Sequence, residues 1–286
     1  MSAVTHRHVD LTDVRLHLAE ARGGGEDAPL VVLLHGFPEH WWSWRHQLEA
    51  LSAAGLWVVA PDMRGYNASD KPEGVRSYDV ERLVDDVAGI IRALGRTRAT
   101  VVGHDWGGMV AWYFASARPE MLERLAILNC PHPVVIARHI FTPAQLVKSS
   151  YIFFFQLPRL PERTIARGDF AAVRRMFAKD GIAREDIERH VEALRTPGAL
   201  SAALNYYRAL GRRRFTFRMP KVRRIDAPVR VIWGDRDPYL GSEMAEPPAR
   251  LVPEARVIHL PEASHWVQNA AHGEVSRLLV DFVRGG

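Results

Sequence analysis

Cysteine is nearly absent from this chain. Cys130 is the only one in 286 residues, so no internal disulfide can form and a disulfide-stapled scaffold is excluded. Long apolar runs are missing too. The longest, residues 151–157 (YIFFFQL), is far short of the roughly 20 residues that cross a bilayer as a helix. The N-terminal MSAVTHRHVDLTDVRLHLAE has no apolar core of the signal-peptide kind. These absences set the expectation of a cytoplasmic protein with no membrane span. Nothing reads as collagen, coiled coil or zinc finger, and there is no internal repeat or low-complexity tract. Acid is in slight deficit, 33 acidic against 38 basic residues, net +5. The densest basic run, residues 212–224 (RRRFTFRMPKVRR), comes with no helix-turn-helix or RNA-binding signature. We read it as a solvated surface and expect no nucleic-acid partner. What remains, 47% hydrophobic and 25% charged residues, is the balance of a globular protein large enough to bury its own core.

The first half alternates short β-branched runs with helical patterns. Residues 31–34, 58–60, 100–102 and 126–128 are continuously apolar, as strands buried on both faces are. Between them, Val80, Leu83, Val84, Val87, Ile90, Ile91 and Leu94 fall at helical spacing, and the pattern ends at Gly95. A second helix follows Gly107 and Gly108 and stops before Pro119. Alternating strands and helices imply a parallel sheet covered on both sides. Residues 6–11 and 14–20 look like an antiparallel edge pair. From about Pro131 to Pro220 strand signals vanish; helical patterns at 167–179, 184–194 and 199–210, proline breaks and arginines replace them. Strands return at 229–233 and 257–260, each with a helical segment after it. The expected architecture is a mostly parallel eight-stranded α/β sheet with helices on both faces, split as 1–131 and 221–286, with a helical insertion over 132–220.

The strongest chemical signal is Gly103-His104-Asp105-Trp106-Gly107-Gly108, a Gly-x-nucleophile-x-Gly turn between a strand and a helix. That spacing is the nucleophile elbow of the α/β-hydrolase fold, with aspartate in place of serine. Asp105 is either a nucleophile or merely the cap of the helix it precedes. No Lys-Ser/Thr follows, which argues against a phosphate loop.

A nucleophile needs a base and an orienting acid, which in this fold follow it in the order acid, histidine. The strand at 229–233 ends in Gly234-Asp235-Arg236-Asp237-Pro238, offering Asp237 and Asp235 for the acid. The strand at 257–260 is followed by Pro261-Glu262-Ala263-Ser264-His265-Trp266, offering His265 as base. Three elements in the right order, each just after a strand, are hard to explain as chance. His35-Gly36-Phe37-Pro38-Glu39 follows the first long parallel strand, and we assign the oxyanion-binding N–H groups to Phe37 and Trp106. His35, at a strand end beside glycine, suits a structural hydrogen bond.

On these residues the sequence resembles the epoxide hydrolases of the α/β-hydrolase fold, over nearly its whole length. The resemblance rests on His35-Gly36-Phe37-Pro38, Arg64-Gly65-Tyr66-Asn67-Ala68-Ser69-Asp70, Gly103-His104-Asp105-Trp106-Gly107-Gly108 and Ser264-His265-Trp266. Asn67 departs from it, standing where the family usually has glycine; asparagine tolerates positive φ better than most residues. The resemblance also places two ring-opening tyrosines in the insertion. Tyr151 in Lys148–Gln156 (KSSYIFFFQ) matches the first and Tyr207 in Leu204–Arg208 (LNYYR) the second. Tyr206 is adjacent, and only one of the two can face the site, because neighbours on a helix point about 100° apart.

The implied chemistry is conversion of an epoxide and water to a vicinal diol. Asp105 forms an alkyl ester, the tyrosines protonate the departing alkoxide, and water activated by His265 and Asp237 cleaves the ester. No metal or organic cofactor is needed. Phe37, Trp106 and Phe155 are expected to contact a small apolar epoxide. Pro158, Pro161 and the run Phe153–Phe155 fit either an apolar tunnel or a buried core of the insertion. The rival is a haloalkane or haloacid dehalogenase, which uses the same aspartate but needs N–H donors for halide. Phe37 has no side-chain donor for that purpose, and two tyrosines point the other way. The expected assembly is a monomer or homodimer.

Overall fold

A computed structural model describes residues 3–215 and 220–285. Eight strands form one sheet: β1 (Thr5–Asp10), β2 (Arg15–Arg22), β3 (Leu30–Leu34), β4 (Trp57–Pro61), β5 (Ala99–His104), β6 (Leu122–Leu128), β7 (Val229–Gly234) and β8 (Ala255–Leu260). Their order is β1-β2-β4-β3-β5-β6-β7-β8. The pairs β1–β2 and β2–β4 are antiparallel, and all other pairs are parallel. The edge hairpin and the parallel core therefore stand as the sequence pattern implied.

Side chains alternate across a strand, so a strand covered on both faces must be apolar at every position. In β3, Leu30, Val32 and Leu34 face α2 (Val80–Ala93) and α3 (Trp106–Ala117), while Val31 and Leu33 face α1 (Arg45–Ala53) and α11 (His272–Arg284). The apolar stripe of α2, from Val80 to Leu94, is buried throughout, and Gly95 with φ of 73° ends the helix. Helix α3 is buried from Trp106 to Ser116, which is why its sequence shows no polar face.

Between β6 and β7 the chain is helical: α4 (Pro133–His139), α5 (Pro143–Lys148), α6 (Ser150–Phe154), α7 (Leu160–Lys179), α8 (Arg184–Arg195) and α9 (Ala199–Phe215). The short α10 (Val267–Ala270) precedes α11. Helix α7 starts seven residues before the predicted 167. The prolines there read as breaks, yet Pro161 sits in the first turn, where a missing N–H costs nothing. The predicted start coincides with a break instead, since Gly168, Asp169 and Phe170 take φ values of 61°, 55° and 59°. The basic run is not wholly solvated. Arg212 and Arg213 pair with Asp79, and Arg213 with Glu81, tying the end of α9 to the start of α2. Residues 216–219 of that run lie outside the described residues.

Candidate active site

Parallel strands deliver their C-terminal ends, and the loops after them, to one edge of the sheet. Asp105 follows β5 there. Its backbone, with φ of 49° and ψ of −117°, is strained, a conformation that costs about 1–3 kcal/mol and recurs at functional sites. Glycine makes the turn feasible. A Cβ on Gly107 would lie 2.1 Å from the Leu34 carbonyl oxygen, and one on Gly36 would lie 2.5 Å from the Asp105 Cβ. Asp105 occupies the cap position of α3, but its side chain caps nothing. Its Oδ1 accepts from the Phe37 amide at 2.8 Å, and its Oδ2 lies 3.8 Å from His265 Nε2. The other donor named from sequence, the Trp106 amide, opens α3 and has no partner within the helix.

His265 comes from the loop after β8, and its Nδ1 lies 2.7 Å from Asp237 Oδ2. Asp237 is buried and held from several sides. Its Oδ1 accepts from the amides of Tyr239 and Leu240, and its Oδ2 from the Asn129 amide group. Asp235 lies elsewhere, paired at 2.6 Å with the exposed His259 on β8. Burial alone would lower the basicity of His265. The Asp237 carboxylate, with help from Asp105 and Glu39, outweighs it and lifts the pKa to about 9. Burial likewise opposes ionisation of Asp237, but the charge and hydrogen bond of His265 and the Asn129 bond hold its pKa below the usual carboxylate value.

Tyr151 on α6 and Tyr207 on α9 meet over this group with ring centroids 6.0 Å apart. Tyr207 stands edge-on to Trp106 at 4.9 Å and to Phe37 at 5.5 Å; Phe155 packs against Phe37, Tyr151 and Tyr207. Burial pushes both tyrosines well above 10. For Tyr151 the negative charge of Asp105 comes next; for Tyr207 it is Tyr151 and then Asp105. Both hydroxyls stay protonated at neutral pH. Tyr206 turns the other way and donates to the Arg64 carbonyl at 2.7 Å. The run Phe153–Phe155 divides: Phe155 is buried at the site, Phe154 is partly buried, and Phe153 faces outward, so it is neither tunnel wall nor core.

A profile of the alpha/beta hydrolase family matches residues 31–278. Two curated relatives span nearly all of the chain. The AB hydrolase superfamily protein YfhM of Bacillus subtilis is 42% identical over 99% of both chains. Epoxide hydrolase 4 of Mus musculus is 38% identical over 98% of this chain and 80% of its own. Among solved structures, the Bacillus megaterium epoxide hydrolase in complex with an inhibitor superposes with a TM-score of 0.88, at 31% identity, over 97% of this chain and 100% of that one. This chain belongs to the epoxide hydrolases of the α/β-hydrolase fold.

Several polar residues at this epoxide hydrolase site carry no obvious mark in the sequence. Glu39 is fully buried, bonded to His104 Nδ1 at 2.8 Å, to Ser43 at 2.5 Å and to Gln268 at 3.0 Å. Burial opposes its charge, yet His104 more than compensates, and the Glu39 pKa falls to about 2. His104, the last residue of β5, then bonds the His265 carbonyl at 3.0 Å, linking the end of β5 to the loops after β3 and β8. The signal available was a carboxylate in an otherwise apolar loop, Phe37-Pro38-Glu39. Ser43 is four positions on, but His104 and Gln268 are 65 and 229 positions away, so no local pattern reveals them. His35 plays a structural part, its Nε2 accepting from the Met63 amide. Asn67 has φ of 40° and holds Asp62 at 2.9 Å, so it keeps the loop that glycine would otherwise make. Among the described residues, no group of three or more His, Cys, Asp or Glu side chains is arranged to hold a metal.

Proposed function

We propose that this chain hydrolyses small apolar epoxides to vicinal diols through an ester on Asp105. The helical run 132–220 serves as a cap over a core of residues 1–131 and 221–286. In the first step an Asp105 oxygen displaces the ring oxygen from an epoxide carbon. One C–O bond forms, another breaks, and the alkoxide takes a proton from Tyr151 or Tyr207. In the second step His265, oriented by Asp237, removes a proton from water, which attacks the Asp105 carbonyl carbon. The Phe37 and Trp106 amides stabilise the tetrahedral oxyanion, each donor contributing about 3 kcal/mol. On collapse the diol oxygen leaves with the proton held by His265, and the carboxylic acid formed on Asp105 gives its proton back to the tyrosinate, restoring the carboxylate. Phe37, Trp106 and Phe155 supply the apolar wall for the rest of the substrate.

The observation that carries this reading is the meeting of two protonated phenols from different helices beside one aspartate. A halide leaves without a proton and would gain nothing from them. Turnover of a styrene-type epoxide against halide release from a haloalkane tests the choice. Tyr151→Phe and Tyr207→Phe are each expected to slow ester formation about tenfold, and the pair together about 10³-fold, measured by stopped flow. A double variant that alkylates at nearly the parental rate would reduce the tyrosines to packing residues and remove the main support for an epoxide substrate.

The acid can be tested separately. Asp237→Asn is expected to lower kcat by about 10⁴-fold, the scale seen when the carboxylate of a hydrolase triad is neutralised. Asp235→Asn, whose side chain pairs with His259 away from His265, should leave kcat close to the parental value. The reverse ranking would move the orienting role to Asp235.

A further inference from the structure

Among the described residues seven large hydrophobic side chains are exposed, and six of these fall between 141 and 160. Leu146 and Val147 on α5, Phe153 on α6, Leu157 beyond it and Leu160 at the head of α7 follow one another at roughly helical spacing. The backbone from α5 to α6 is nearly continuous, with the Ser149 amide bonded to the Gln145 carbonyl and the Ile152 amide to Ser149. Other positions of the same run point inward. Gln145, Ser149 and Phe155 are buried, and Tyr151 meets Tyr207. One side of this run thus faces the Asp105 site and the other faces solvent, with Val147 76% exposed.

Scattered exposed apolar residues are ordinary, whereas a row confined to one segment marks a contact surface. Its charge says what kind. No Asp or Glu occurs between Glu123 and Glu162. Arg138, Arg159 and Arg163 are exposed along that stretch, while the half-buried Lys148 turns inward and donates to the Asp237 carbonyl. Glu162, the first acid after it, is already engaged by Arg208 at 2.7 Å. A second copy of the chain docked face to face here would oppose cation to cation, which disfavours it. Anionic headgroups above an apolar phase complement both the charge and the apolar row.

We propose that the outer face of α5 and α6 docks on anionic lipid bilayers. Val147, Phe153, Leu157 and Leu160 enter the acyl boundary, and Arg138, Arg159 and Arg163 lie against headgroup phosphates. This is surface binding: among the described residues no helix is long and apolar enough to cross a membrane. A helix with its side chains is about 10–12 Å across, so the docked bilayer lies about one helix diameter from Asp105. Apolar epoxides dissolved in the bilayer are then the substrate class, a step that rests on the hydrolase reading above; the docking itself does not.

The test is flotation of the purified full chain with vesicles of phosphatidylglycerol and phosphatidylcholine, against vesicles of phosphatidylcholine alone. The expected result is binding to the anionic vesicles that weakens as salt is raised. Val147→Glu combined with Phe153→Glu should cut partitioning at least about tenfold with an unchanged melting temperature. No preference for anionic vesicles, or equal binding by the double variant, would overturn the proposal. So would concentration-dependent self-association that the double variant abolishes, since a second copy would then own the face. Binding is read without substrate, so the result does not depend on whether the chain opens epoxides.

Discussion

Asp105→Ala is expected to reduce epoxide turnover by about 10⁵-fold or more while the melting temperature shifts by only a few degrees. The carboxylate accepts one hydrogen bond, from the Phe37 amide, and caps nothing, so the fold relies on it little. On the proposed route the chemistry relies on it, and its Oδ2 lies 3.8 Å from His265 Nε2. Isotope placement checks the route independently of rate. On the proposed route water attacks the ester at the Asp105 carbonyl carbon, so one turnover in ¹⁸O-water should leave label on Asp105 and none in the diol. Label found directly in the first-turnover diol, with Asp105 unlabelled, would mean that water attacks the epoxide itself and that Asp105 is not the nucleophile.

His265→Gln should separate the two half-reactions. On the proposed roles ester formation uses Asp105 and the tyrosines and should continue; ester hydrolysis should fall by about 10³-fold to 10⁴-fold. Intact-protein mass spectrometry should then show an adduct one substrate heavier. Absence of that adduct would return His265 to the alkylation step. A pH effect follows from the same contacts. In the resting enzyme the negative charges of Asp237 and Asp105 help lift His265 to about 9. The proposed esterification would neutralise Asp105, one of those charges, and so lower the pKa. A general base acts when deprotonated, so hydrolysis of the preformed ester should accelerate as pH rises through a midpoint below 9. Titration of the resting imidazole by NMR gives the reference, and a kinetic midpoint at or above it would refute this coupling.

The parallel strands were legible because burial on both faces forces unbroken apolar runs, and the order Asp105, Asp237, His265 was legible because each follows a strand. What was not legible needed register or rotation. Asp235 and Asp237 both follow β7, and only the pairing of β7 with β8 sends the first to His259 and leaves the second beside His265. Tyr206 and Tyr207 differ by one step around α9, and the choice depends on where the Arg64 carbonyl lies. Three consecutive phenylalanines gave no periodicity to divide, so Phe153 could not be read as outward-facing. Glu39 and His104 both stood inside the quoted motifs, but their bond spans 65 positions and leaves no pattern.

The two phenols stand on helices of one contiguous stretch that leaves the sheet after β6 and rejoins it before β7, while Asp105, His265 and Asp237 hang from strands. On the proposed roles, the group that receives the leaving atom and the groups that cleave the ester are inherited in separate blocks of the gene. A lineage can therefore exchange the stretch and acquire a different electrophile while its ester-cleaving apparatus passes through untouched. The reverse is harder, because the Glu39–His104 bond and the contact of Gly36 with Asp105 bind the strand-borne groups to one another, so that none of them can drift alone.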